Sequence, residues 1–237
     1  MSSNSFTKEN LDNYLKELAK EFRRINGKSM PAEIVLVGGA AILTNYGFRD
    51  MTTDIDAVIH AASSMKDAIN RVGDKYNLPN GWLNADFMNT ASYSPKLDEF
   101  SVYYKTFYGV LSVRTIAAEY LIAMKLRSGR KYKNDLSDII GILAEHEKKE
   151  NCITFEQIEI AITNLYGGWD AFPKDSKTFI EDAFKNGDFD NVYKSIKKDE
   201  IEAKDILISF EENYPKVAKE SNINDILKSL KGKRGGK

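Results

Sequence analysis

Apolar residues recur at Phe6, Leu11, Tyr14, Leu15, Leu18 and Phe22 within a charged background. That spacing predicts an amphipathic helix from about Lys8 to Arg24. Glu33 to Val37 (EIVLV) breaks the helical period. It is a short apolar run rich in branched side chains, and predicts a buried strand. Gly38-Gly39 follows directly, and then a helical pattern from Ala40 to Tyr46. Asp54 to Ile59 (DIDAVI) opens with polar–apolar alternation and turns apolar, predicting a second strand. Met65 to Tyr76 reads as a helix. Leu78 to Phe100 has no period and carries turn signals at Pro79-Asn80-Gly81 and Ser94-Pro95. Phe100 to Phe107 and Val110 to Ile116 predict two further strands, with Gly109 at the turn of a hairpin.

From Ala117 onward the pattern is helical. Leu136, Ile139, Ile140 and Leu143 make one stripe. Thr154-x-x-Gln157 resembles a capping box opening a helix that carries Phe155, Ile158, Ile162 and Leu165. Thr178 to Lys185 and Ile201 to Asn213 suit helices, and the basic, Gly-rich Lys228 to Lys237 reads as frayed. No internal repeat is visible. The fold class expected is α/β (α+β): a small mixed sheet flanked by helices, then an all-helical C-terminal part. The polar run Lys148 to Asn151 sets the expected boundary, giving domains 1–148 and 149–237.

Composition narrows the function classes. Among 237 residues, 34 Lys and Arg face 35 Asp and Glu. That balance argues against a general electrostatic affinity for nucleic acid or membrane, while leaving room for a local basic patch. The one cysteine, Cys152, has no partner for an internal disulfide. The chain is therefore expected to be cytoplasmic, with a buried or half-buried thiol. Ser2 to Asn10 is too polar for a signal peptide. No apolar run reaches the roughly 20 residues of a membrane span. His60 and His146 form no metal pattern and read as structural.

The chemistry concentrates in a few places. Asp54 and Asp56 are two apart on a predicted strand, so both carboxylates face one way and Ile55 the other. Two acids so placed repel unless a cation joins them, and hard oxygen ligands suit Mg²⁺ or Mn²⁺. Solvated surface pairs share the motif, but here it opens onto the apolar Ala57-Val58-Ile59. Gly38 and Gly39, between strand and helix, either let backbone N–H groups approach phosphate oxygens or make a tight turn. No dinucleotide fingerprint or P-loop occurs. Arg49 either reaches a phosphate or pairs with the acids. Ala118, Leu121, Ile122 and Lys125 share a helix face, so Lys125 extends an apolar stripe and either snorkels outward or serves a buried partner. Arg127, Arg130, Lys131 and Lys133 form a basic cluster suited to a polyphosphate or to a solvated helix end. Asp135 and Asp138, three apart, either complement a helix N-terminus capped by Asn134 or orient Lys125 or Arg130.

Together, VGGAAILTNYGFRDMTTDIDAVI (Val37 to Ile59) resembles the opening of the DNA polymerase beta-like nucleotidyltransferase superfamily. AEYLIAMKLRSGRKYKNDLSDIIGIL (Ala118 to Leu143) resembles the later motif of its AbiEii-like branch, a Lys followed by an Arg and a paired Asp-x-x-Asp. Many members of that branch belong to bacterial toxin–antitoxin or abortive-infection systems. The resemblance spans about Glu33 to Leu143. It implies transfer of a nucleotidyl group from an NTP to an acceptor hydroxyl, with Mg²⁺ or Mn²⁺ on Asp54 and Asp56. Phosphates would rest on Gly38, Gly39, Arg49, Lys125 and Arg130, with Asp135 and Asp138 supporting them. Expected partners are an RNA (such as a tRNA end) or protein acceptor and a cognate toxin or antitoxin, with no membrane. The superfamily often supplies a third carboxylate from a later strand. Here Val110 to Ile116 offers only Ser112 mid-strand, so Asp86, or more weakly Glu99, is the expected substitute. A binding or antitoxin-like protein that keeps the fold without the chemistry is the alternative.

Overall fold

The computed structural model describes residues 5–130, 133–219 and 222–234. The chain forms two compact units, each drawn from two segments. The first comprises residues 1–127 and 153–171, and the second residues 128–152 and 172–237.

The first unit is built on a five-stranded mixed sheet. Its strands are β1 (Ala32–Leu36), β2 (Ile55–His60), β3 (Leu83–Asn84), β4 (Ser101–Phe107) and β5 (Leu111–Ile116), in the order β3-β2-β1-β5-β4. The central strand β1 runs antiparallel to β2 and parallel to β5. The short β3 runs parallel to β2, and β4 closes the hairpin with β5 across Gly109. Ile34, Val35 and Leu36 are fully buried, as expected of a central strand covered on both faces. The stretch Leu78 to Phe100, aperiodic in sequence, supplies β3 and two 3-10 turns, Asp86–Asn89 and Leu97–Phe100. Two residues are too few for a periodic pattern to register, which is why β3 is invisible to sequence alternation.

Four longer helices and a shorter one belong to this unit: α1 (Lys8–Asn26), α2 (Gly38–Asn45), α3 (Met65–Tyr76), α4 (Ala118–Ser128, ending one residue into the second unit) and α6 (Phe155–Tyr166). α1 buries Leu11, Leu15, Leu18 and Phe22, packs beside α3, and opens with a capping box between Thr7 and Asn10. Ahead of it, Phe6 exchanges both backbone hydrogen bonds with Thr52, at 2.7 and 2.9 Å. The Phe6 ring lies 5.9 Å from Tyr14 and 6.2 Å from Trp82, whose indole N–H donates to the Ile69 carbonyl. The N-terminal segment is thereby locked onto the loop that enters β2. α6 begins with the reciprocal Thr154–Gln157 box read from the sequence. It ties down the 90s loop through Ser94 Oγ to the Leu165 carbonyl and Tyr166 Oη to the Ser92 carbonyl.

The second unit is helical among its described residues: α5 (Asp135–Lys148), α7 (Lys174–Asn186), α8 (Phe189–Asn213) and α9 (Ile223–Arg234). α5 packs along α8, and Ala203, Ile206 and Leu227 form a small apolar cluster joining α8 to α9. α9 overturns part of the frayed-tail expectation, since Lys228 to Arg234 is helical; 235–237 lie outside the described residues. Cys152, expected buried or half-buried, is exposed, because it sits in the polar connection just ahead of the Thr154 cap. No helix among the described residues is long and apolar enough to cross a membrane.

Candidate functional site

The carboxyl end of β1 and the start of β2 meet at the Gly38-Gly39 turn. α2 begins at Gly38 itself, so both glycines lie in its first turn rather than in a loop ahead of it. Gly38 has φ +54°, a left-handed conformation that a side chain resists. A Cβ there would sit 3.9 Å from Oδ2 of Asp56, ordinary contact, so conformation and not space dictates this glycine. Gly39 differs. A Cβ there would lie 2.7 Å from Thr52 Oγ1 and 2.9 Å from Arg49 Nη2, closer than real Cβ atoms come. The space over Gly39 is filled by those two side chains.

Asp54 is exposed and stands one residue before β2; Asp56 is half-buried within it; Ile55 between them is fully buried. The Val37 N–H donates to the Asp56 carbonyl at 3.0 Å, which fixes Asp56 beside the strand-to-helix turn. Thr52 Oγ1 donates to Asp54 Oδ1 at 3.4 Å. Arg49 donates from Nε to the Met51 carbonyl at 3.1 Å, folding its guanidinium back over the α2 turn. Asp54, Asp56, Gly38, Gly39 and Arg49 are thus gathered at one end of the sheet. Thr52, which meets both Asp54 and Gly39, has no signature in sequence beyond lying two residues ahead of Asp54.

Asp56 pairs laterally with Asn84 of β3, and Asp86 follows two residues later. Its N–H donates to the Asn84 side-chain oxygen at 2.8 Å, and the 3-10 turn it opens packs beside β2. On the other flank the register corrects the place given to Ser112. Ser112 lies opposite Glu33, at the start of β1. Asp56 neighbours Val37 at the opposite end, about 13 Å along the strands. Continuing the β1–β5 register one step sets Ile116 beside Val37. Arg114, one pair back on the same face, is held by Ser101 through Nε to Oγ and Nη2 to the carbonyl, both at 2.7 Å. Glu99 lies in the Leu97–Phe100 turn ahead of β4.

Lys125 is 8% exposed, embedded in the apolar face of α4, so it does not snorkel outward. Arg130, Asp135 and Asp138 belong to the second unit. Asp135 is completely buried and receives Arg130 through Nε at 2.8 Å and Nη2 at 3.4 Å. Asp138 is also buried. Both acids stand in the first turn of α5, as the helix N-terminus reading expects, and are buried there. Asn134 is the N-cap residue of α5 but caps nothing with its side chain, which accepts from Lys197 instead. Glu200 of α8 takes that part, accepting from the Ser137 N–H at 3.0 Å and its hydroxyl at 2.6 Å. Of the basic cluster, Lys131 lies outside the described residues.

The donor set at Asp54 and Asp56 suits a hard divalent cation. Such ions take one or two protein carboxylates and complete their shell with water and substrate phosphate oxygens. Among the described residues no group of three or more His, Cys, Asp or Glu side chains converges, so the pair would supply only part of a shell.

No curated protein and no solved structure matches the chain. The model of one family, described as a nucleotidyltransferase of unknown function (DUF6036), matches residues 13–149. That span is more than half of the chain and holds every candidate residue above, and the chain belongs to that family.

Proposed function

We propose that this protein transfers a nucleotidyl group from an NTP to an acceptor hydroxyl, with Asp54 and Asp56 holding Mg²⁺ or Mn²⁺. The observation that carries the reading is the placement of both acids at the Gly38-Gly39 turn of a nucleotidyltransferase-family domain. When bound, the ion supplies charge stabilisation for a triphosphate and its departing pyrophosphate. The chain's own residues do the rest. The first-turn amides of α2 and the Arg49 guanidinium offer donors to phosphate oxygens. Lys125, buried within the sheet unit itself, adds positive charge. The acceptor oxygen attacks the α-phosphorus, its bond to the bridging oxygen breaks, and pyrophosphate leaves. Asp86 takes the acceptor proton, directly or through one water, from its place beside β2. The acceptor is an RNA, such as a tRNA end, or a protein side chain. The setting is the cytoplasm, and the resemblance to the AbiEii-like branch assigns a cognate toxin or antitoxin as partner.

The test is incubation with each labelled NTP, Mg²⁺, and total cellular RNA and protein. Label should enter one pool and vanish in Asp54→Asn and Asp56→Asn. If no NTP binds and neither pool is labelled, the reading fails. One observation favours a second reading: β5 sets Ile116 and Arg114, not an acid, on the flank next to Asp56. A protein that binds nucleotide without turnover fits that arrangement, and NTP binding without any labelled acceptor would select it.

A further inference from the structure

Thr52 is 3% exposed, unusual for a polar residue in a loop leading to an open site. Both its backbone groups are engaged by Phe6, at 2.7 and 2.9 Å, and Phe6 is itself buried in the Tyr14–Trp82 aromatic cluster. The backbone is therefore fixed on both sides, and the β-branched side chain has few rotamers left. Its hydroxyl is aimed at two things. Oγ1 lies 3.4 Å from Asp54 Oδ1, and it fills the space where Gly39 would otherwise carry a Cβ, 2.7 Å away. Asp54, exposed and outside the strand, has no ladder position to fix its carboxylate.

We propose that Thr52 is a positioning residue, whose hydroxyl orients the Asp54 carboxylate toward the ion, and that residue 39 is glycine to make room for it. The inference rests on the reading of Asp54 as a metal ligand. An O–H···O distance of 3.4 Å is long against the usual 2.7–2.8 Å. One hydroxyl takes one of the roughly four lone-pair sites of the Asp54 carboxylate, leaving the others for a cation. Groups that orient a metal ligand in this way typically contribute about 10- to 100-fold in metal affinity. The arrangement also gives Gly38 and Gly39 separate reasons: the first meets a left-handed backbone, the second a crowded neighbour.

The test is Mn²⁺ titration of the full chain, with free Mn²⁺ read by electron paramagnetic resonance. Parent, T52S, T52A, T52V and D54N are compared, with melting temperature measured alongside. T52A and T52S differ only in the hydroxyl, so their comparison stands even if T52V does not fold. The expected result is Mn²⁺ affinity near the parent's in T52S and about 10- to 100-fold weaker in T52A and T52V. T52V should melt near the parent temperature. Equal affinity in T52S and T52A, or in parent and T52V, overturns the proposal while leaving Asp54 as a ligand. A parent that binds Mn²⁺ no better than D54N overturns the metal reading itself, and the proposal with it.

Discussion

Glu200, on α8, accepts two hydrogen bonds from Ser137, on the first turn of α5 between Asp135 and Asp138. Burial pushes the Glu200 carboxyl up to about 7, against the pull of the Ser137 bonds and Lys197, with nearby Asp138 adding to the rise. A carboxyl raised in the folded state binds more protons folded than unfolded between its ordinary value of 4.5 and about 7. Its contribution is thus most favourable below that window and is lost as pH rises through it. The melting temperature of the parent relative to Glu200→Gln should fall from pH 4.5 to 7 and level off above. The loss is at most about 3 kcal/mol. Parallel melting curves for both proteins across this range would contradict the assignment.

Asp86→Asn should lower turnover by about 100- to 10,000-fold, the usual worth of general acid–base help, while NTP affinity stays near that of the parent. Single-turnover kinetics alongside nucleotide titration separates the two. A variant with full activity would remove Asp86 as the base.

Lys125→Ala should weaken NTP binding by about 10- to 100-fold, because a charge-assisted hydrogen bond contributes roughly 1.5–3 kcal/mol. The loss of binding should exceed the change in thermal stability. Equal NTP affinity in variant and parent would assign this buried amine to structure alone.

Gly38→Ala should lower stability by about 1–2 kcal/mol, the cost of a left-handed conformation for a residue with a Cβ. Denaturant unfolding checks it. Its Cβ would meet only ordinary contact, so a larger loss would mean that space, not conformation, governs the position.

The features legible in the sequence were those with a period or a fixed local partner. β1 and β2 announce themselves by apolar runs, α1 by its stripe, and α6 by the Thr154–Gln157 spacing. Alternation in the sequence predicts Asp54 and Asp56 on one face of a strand, but β2 begins at Ile55, so only Asp56 has a ladder position and Asp54 stands one residue ahead of it. What escaped depends on long-range register. Ser112 is mid-strand in sequence, yet only the β1–β5 pairing reveals that it lies at the far end from Asp56. The burial of Asp135 and Asp138 depends on α8, more than 50 residues downstream, whose Glu200 reaches back to cap α5. Thr52 escaped because its partners, Phe6 and Gly39, are remote in sequence or carry no side chain.

The order of segments has a consequence for synthesis. The sheet unit takes residues 1–127 and then 153–171, with a stretch of the other unit between them. On the ribosome, where chains emerge N-terminus first at about 5–20 residues per second, the five strands are all made before α6 exists. Until then the Ser92–Ser94 loop lacks Tyr166 and the Leu165 carbonyl, and Tyr120 lacks Asn164. The nucleotidyltransferase core therefore completes itself only when translation has passed residue 171, so a chain stalled at residue 150 carries both aspartates but not the finished unit that presents them.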